Sequence, residues 1–446
     1  MACISAYLPT FATFCNIADN CTEIQFPTFA TFCNIKVCSA TFRNAQSGKL
    51  CQNPDVWTHL FGEWNLGLNP VEYWVMTTQN STPTRLVEYI NTIFENAHGH
   101  QRNALVDFVL ALISTRSCCQ ASLARFFDNF EAACKRLTRF LHNPRLDVEQ
   151  MSRQTARVIV SQLPLLGTIP ISIDWTIEDQ QHLLVASLCT GSRAIPIYWR
   201  AFRQDSLKDH RSSYERDFVR TLITQVLHPI ARSRLIFTAD RAFADVKLVD
   251  LLNELRVSFV IRTKDNIKVC YNRKWVKLKH LRFVRNQRRR SLGRLRYCHS
   301  DPRRLYVTQS RKRDRKGKWG LWHLISNRNM SAERTSYEYG RRFSCEEGFR
   351  DAKRLLGFKQ ARIECIQGWA RMFTLVAVAM LILYGIGCFL LGRREALSRQ
   401  LRKVMSRRKR RSEMSLMRAI AELISKDGSW WDVLDHRLNL NLSAIL

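Results

Sequence analysis

The stretch Tyr339-Gly-Arg-Arg-Phe-Ser-Cys-Glu-Glu-Gly-Phe-Arg-Asp-Ala-Lys353 decides how the rest of the chain is read. Taken as one helix at about 100° per residue, it puts Tyr339, Arg342, Glu346 and Lys353 within an arc of about 60°. One face then carries a phenol, two cations and a carboxylate. An isolated Arg342 to Glu346 pair four residues apart would be an ordinary solvated contact, stabilising by about 0.3 kcal/mol. The neighbours argue for more, because Phe343, Phe349, Leu355 and Leu356 make this a helix that packs, with its charged stripe at the edge of the buried side.

Two carboxylates elsewhere stand in matching settings. Gly167-Thr-Ile-Pro-Ile-Ser-Ile-Asp174-Trp-Thr ends an apolar strand on an acid, and Arg234-Leu-Ile-Phe-Thr-Ala-Asp240-Arg-Ala-Phe243 repeats the arrangement. Between them, His182–Cys189 and Ala194–Trp199 read as two more strands, and a helix is expected from about Ser213 to Arg232. A helix near Asp245–Leu255 and a strand through Val257–Arg262 follow. A lone Asp after a strand is commonly a turn former or a helix cap. Two of them followed by a helical Glu are hard to assign to caps together.

The helical stretch resembles the Tyr-x2-Arg-x3-Glu-x6-Lys signature of DDE transposases of the bacterial insertion sequence four family, with all four positions matching at full spacing. Asp174-Trp-Thr and Asp240 are similar to that family's first and second acidic motifs. The resemblance implies an α/β fold: a ribonuclease H-like catalytic core with a β-rich insertion, preceded by a helical DNA-binding domain. It makes Asp174, Asp240 and Glu346 the catalytic, metal-binding acids, holding two Mg²⁺ ions with Mn²⁺ able to substitute. Carboxylate oxygens without Cys or His suit such hard cations. Tyr339, Arg342 and Lys353 become DNA contacts. Trp322, in a Trp-x-Leu setting like the family's, becomes the ring that receives a base swung out of the stack.

The implied activity is that of a transposase: metal-dependent cleavage at transposon ends, attack of the freed 3′-hydroxyl on the opposite strand to close a hairpin, hairpin opening, and strand transfer into target DNA. The implied partner is double-stranded DNA, both ends and target, with a homodimer in the active complex and no membrane; the implied location is the bacterial cytoplasm, on the nucleoid. The competing reading is a catalytically inactive, transposase-derived DNA-binding protein.

Composition supports a polyanionic partner independently. In 446 residues, 70 Lys and Arg face 38 Asp and Glu, a net charge of +32. The 15 cysteines form no CxxC pair and no zinc-like cluster, and their number is odd, so free thiols in a reducing compartment are expected. No basic segment followed by an apolar run marks a secretory signal.

Residues 1–75 read differently from the rest. Pro9–Ile17 recurs word for word at Pro27–Ile35, no periodicity is sustained, and the basic character is missing. They are expected to be an atypical, poorly ordered extension, with Met76 the functional start. Residues 76–165 turn helical. Within them Gln120–Phe127 and Phe130–Leu141 across a short break suit either a helix-turn-helix or a plain helical bundle. The family's similar Arg-Phe-Leu-x-Asn run, here Arg139–Asn143, favours the first, with Lys135, Arg136 and Arg139 facing DNA.

The core is expected over 166–263 and 327–392, with the insertion at 264–326. Between Arg273 and Lys318 there are 19 Lys or Arg against two Asp, interleaved with aromatics, a mixture that faces phosphates. Met372–Gly392 has 21 residues without a charge, long enough to span a bilayer. A buried helix closing the core is the expected reading. Residues 393–446 are expected to form a basic helical tail, with an amphipathic helix at Met417–Ile424 available for self-association.

Overall fold

The computed structural model describes residues 82–190, 193–283, 287–313, 317, 319–392, 416–426 and 431. The expectations for residues 1–75, for a start at Met76 and for most of the basic tail lie outside them. Five helices come first: α1 (Thr84–Ile93), α2 (Gly99–Thr115), α3 (Gln120–Ala124), α4 (Phe130–His142) and α5 (Val148–Ser161). In α4 the apolar residues Ala133, Leu137, Phe140 and Leu141 recur at three and four and are buried, and the Asn129 side chain accepts from the Ala132 amide to cap the helix. The Asp147 carboxylate does the same for α5 through the Glu149 amide.

The sheet begins with an antiparallel meander of β1 (Ile169–Glu178), β2 (Gln181–Thr190) and β3 (Arg193–Arg203). After α6 (Arg211–Thr221), which widens into a π-turn at Leu222–Val226, β4 (Leu235–Ala239) returns parallel to β1. The helix predicted to reach Arg232 therefore stops earlier, ahead of Pro229, which cannot supply a helical N–H. Helix α7 (Val246–Glu254) then leads to β5 (Ser258–Thr263), parallel to β4. Parallel strands are buried on both faces, and all five residues of β4 are.

The segment expected as an insertion extends this sheet rather than standing apart from it. It holds β6 (Lys268–Tyr271), β7 (Lys274–Lys277), β8 (Arg289–Tyr297), β9 (Arg303–Arg313) and β10 (Trp319–Ser326). Because β10 pairs antiparallel with β5, one ten-stranded sheet runs in the order β3-β2-β1-β4-β5-β10-β9-β8-β6-β7. At the join, buried His323 sits 3.0 Å from Asp265 and 3.3 Å from Gln309, with burial holding the imidazole below its ordinary pKa.

The opening stretch of the sequence is not one uniform helix. Helix α8 (Ala332–Arg341) tightens at Arg342, where the Arg342 amide reaches Tyr339 and the Cys345 amide reaches Arg342, three residues back each time. Helix α9 (Phe343–Arg350) continues and widens into a π-turn at Asp351–Leu355. Gly348 lets α9 press on β3, since a Cβ there would meet the Ala194 carbonyl oxygen at 2.9 Å.

Helix α10 (Ile366–Gly392) is the apolar segment flagged in the sequence. It is long and apolar enough to cross a membrane, yet 94% of its apolar window is buried inside the protein. A helix apolar all round is one enclosed on every side. It packs on β3 and on α2, α4 and α5, so the early helices share its core, and Arg371 donates to the carbonyls of Leu141 (2.7 Å) and Leu146 (2.9 Å). Helix α11 (Leu416–Ile424) also lies on α10. Its apolar residues Met417, Ile420, Ala421 and Ile424 are buried within this chain, so the face expected to serve self-association is spent internally.

Candidate active site

The parallel pairing of β1 with β4 sets the site. Ile173 stands opposite Ala239, so the next residues on each strand, Asp174 and Asp240, emerge side by side at neighbouring strands about 4.8 Å apart. Such carboxyl ends of parallel strands are where α/β sheets place their ligands. Asp174 accepts from the Trp175 amide at 2.9 Å, and Asp240 caps a short 3₁₀ turn through the Arg241 amide at 2.7 Å. The commonplace cap role is therefore present at Asp240, alongside a second relationship.

That relationship is made by α8 and α9. Arg342 donates from one terminal nitrogen to Asp174 (2.9 Å) and from the other to Glu346 (2.8 Å). Since both nitrogens belong to one rigid planar fork, the two carboxylates lie within about 8 Å of each other. The Tyr339 hydroxyl points at Asp240 from 3.5 Å, long for a hydrogen bond. Two acids, one from a strand and one from a helix, thus share one guanidinium, with Asp240 on the neighbouring strand beside Tyr339.

Electrostatics agree with this proximity. Burial pushes the Asp174 carboxyl above its ordinary pKa; Arg342 and the Trp175 amide pull it down, and the charges of Asp240 and Glu346 push it up again. Burial also opposes the Arg342 charge, but Tyr339, Asp174, Asp240 and Glu346 outweigh it and raise its pKa. Burial pushes the Tyr339 phenol up to about 12, so it stays protonated.

The donor set fits a hard divalent cation, being all carboxylate oxygen. The arrangement is nevertheless spread around Arg342, and among the described residues no three His, Cys, Asp or Glu side chains converge on a single ion. An ion seated between Asp174 and Glu346 would meet the guanidinium there. Asp174 and Glu346 would hold such an ion only with Arg342 turned from one of them.

Residues 209–382 match the family model of the transposase DDE domain. The match takes in Asp240 and Glu346 and begins after Asp174, covering less than half of the chain. A search among curated proteins found no match. The mixed sheet, the parallel pairing of β1 with β4 that stops just before Asp174 and Asp240, and the helix-borne Glu346 fit the ribonuclease H-like core of a DDE domain, although β1 itself runs on past the expected strand end at Asp174 to Glu178, paired with β2.

The remaining residues singled out in the sequence are placed unevenly around these acids. Tyr339 is fully enclosed and Arg342 is 5% exposed, so both stand behind the acids rather than on an open stripe. Lys353 leaves the group, because the π-turn carries it to the end of β1, where it pairs with Glu178 at 2.6 Å and donates to the Ile177 carbonyl at 3.1 Å. Half-buried Trp322 stacks on Phe343 (5.3 Å, 20°) and meets Tyr339 edge-on, one ring removed from Asp240. Lys135, Arg136 and Arg139 all lie on the exposed side of α4. Arg136 is also engaged at home, paired with Asp107 at 2.9 Å and lying over the rings of Phe108 and Phe127.

Three contributors escaped the sequence reading. Phe343 is Trp322's stacking partner, Arg262 lies 5.6 Å over the Trp322 ring, and Gly348 seats α9. Arg262 had a signal, as a lone cation in the apolar run Val257–Ile261 and Thr263. Gly348 had none, since only the packed neighbour reveals the need.

Proposed function

We propose that this protein is a cut-and-paste transposase of the insertion sequence four type, with Asp174, Asp240 and Glu346 as its catalytic acids. The observation that carries the reading is the single guanidinium of Arg342 shared by Asp174 and Glu346 beside the strand-end Asp240. The three acids would hold Mg²⁺ or Mn²⁺, which when bound supplies charge neutralisation at a phosphate and an activated nucleophile at neutral pH. Arg342 compensates two of the carboxylates, and its fork would suit a phosphate oxygen equally well. Tyr339 supports Asp240 from behind.

Trp322 faces this group through Tyr339 and is proposed to receive a base swung from the strand during hairpin closure. Its ring is already oriented by Phe343, and the Arg262 and Lys312 cations beside it, 5.6 and 5.8 Å from the ring centre, are available to the phosphates of that strand. Lys353 and the exposed cations of α4, Lys135 and Arg139 among them, are proposed to position end DNA. The net charge of +32 supplies the long-range attraction, and a nucleoid location in the cytoplasm follows from that partner.

The test uses duplex DNA bearing the inverted repeats that flank the coding sequence. Wild-type protein with Mg²⁺ or Mn²⁺ should nick at the repeat ends and then yield hairpins. Asp174→Ala, Asp240→Ala and Glu346→Ala should each abolish nicking and keep end binding. End binding by the wild type without any nicking would identify a DNA-binding derivative instead.

A further inference from the structure

Helix α8 has a second functional face, turned away from the acids. At about 100° per residue Tyr337 lies about 160° around the helix from Tyr339, and Gly340 and Arg341 fall on Tyr337's side. There the helix forms one wall of a groove of about 750 Å³, whose opposite wall carries Arg289 of β8 and Lys312 of β9. Arg334 also lines it, and Glu333 is its one acid.

Three features of this groove suit a ligand. Tyr337 is 54% exposed, the most exposed aromatic side chain among the described residues, although its ring rests beside the guanidinium groups of Arg334 (5.6 Å) and Arg341 (5.8 Å). Arg334 and Arg341 are themselves tied down, both to the buried carboxylate of Glu338, with Arg334 also on Thr168 and Arg341 on the Cys189 carbonyl. They hold the ring in place.

Across the groove, two like charges are set close together. Burial first, and then the charge of Arg289, hold the Lys312 amine below its ordinary pKa. A cation pair of this kind is relieved by an anion. Finally, Gly340 sits inside a helix, where glycine costs about 1 kcal/mol relative to alanine, yet a Cβ there would meet no atom within 4 Å. Packing does not demand this glycine. The space it leaves opens into the groove beside Tyr337.

We propose that this groove binds an unpaired DNA strand, with a base stacked on Tyr337 and the adjoining phosphates held by Arg289 and Lys312. The exposed ring, rather than the groove's size, selects the ligand. An exposed ring takes the face of a base only when that base is unpaired, and cations beside it hold the backbone. The inference rests on the reading of the chain as a DNA transposase and adds a strand-binding site on the back of the helix whose front carries the acids.

The test is local, because a protein of this charge binds any DNA somewhere. An eight-nucleotide strand carrying 5-iododeoxyuridine is irradiated with the full-length protein, and the crosslinked residue is mapped by mass spectrometry. The crosslink should fall on Tyr337, and a duplex of the same sequence should not give it. Tyr337→Ala should weaken binding of oligothymidine by roughly fivefold or more, with Tyr337→Phe close to wild type. Gly340→Leu, which fills the groove, should give the same loss without lowering the melting temperature.

Crosslinks confined to other aromatics such as Trp319, or unchanged oligothymidine affinity in both Tyr337→Ala and Gly340→Leu, would overturn the assignment. If the wild type nicks repeat ends while these results fail, only the groove is lost. If the wild type binds no DNA, the transposase reading falls with it.

Discussion

Arg342 donates to Asp174 across 2.9 Å, joining residues 168 positions apart in the chain, and its other arm holds Glu346 at 2.8 Å. Removing the guanidinium leaves Asp174 desolvated beside two other acids. Arg342→Ala should lower unfolding free energy by about 1–3 kcal/mol, less than for a fully enclosed pair, since Asp174 and Glu346 are 22% and 46% exposed. The same variant should gain more from Mn²⁺ in a thermal melt than wild type does, because a divalent cation then meets uncompensated acids. Equal Mn²⁺ shifts in the two proteins would show that Arg342 does not guard the acids.

The pH dependence of Asp174 has a definite sign. Its folded pKa is raised, by burial first and by Asp240 and Glu346 in addition, despite Arg342. The folded chain therefore holds this proton to a higher pH than the unfolded chain, and stability falls as pH rises from the unfolded pKa through the folded one. Asp174→Asn should melt higher than wild type at pH 7 without divalent ions, with the gain vanishing below the ordinary carboxyl pKa. A lower melting temperature for the variant at pH 7 would contradict the placement of this acid.

Trp322 is held by aromatic neighbours on one side of the site. Trp322→Ala should nick the first strand at near wild-type rate and fail to close hairpins, while Trp322→Phe keeps the stack on Phe343 and recovers part of the yield. Strand-resolving gels distinguish nicked from hairpin product. Normal hairpin yield from the alanine variant would end the base-receiving role.

Lys353 is engaged by Glu178 and the Ile177 carbonyl. If it also serves a phosphate, the two acceptors compete for one amine. Glu178→Gln should then tighten end binding, and Lys353→Ala should flatten the dependence of log K on log salt by about 0.9. Unchanged binding in both variants would leave the pair as a local tie between β1 and the π-turn.

The settings of Asp240 and Glu346, after a strand and on a helix, were legible because each follows a pattern that physics makes local. An apolar run of strand length before an Asp, and a carboxylate three and four residues from aromatic and basic partners, can be read without a partner element in view, whereas Asp174 was expected at a strand end and β1 continues through it to Glu178 because β2 pairs with it there. The charged stripe was only half legible. Spacing alone put Lys353 with Tyr339, Arg342 and Glu346, but the count assumes 3.6 residues per turn, and the π-turn at Asp351–Leu355 breaks that assumption. The tail helix misled for a different reason. Periodicity in Leu416–Ile424 shows that an apolar face must be covered and cannot say by what; here α10 of the same chain covers it.

By itself, then, the sequence determined that three acids stand in strand, strand and helix settings on a strongly basic chain. Only the tertiary structure decided their arrangement. Parallel register between β1 and β4 sets Asp174 beside Asp240, and the absence of a side chain at Gly348 lets α9 approach β3. The fork of Arg342 then decides which carboxylates are held and how far apart. Register and close approach are properties of two segments together, so no pattern within either one contains them.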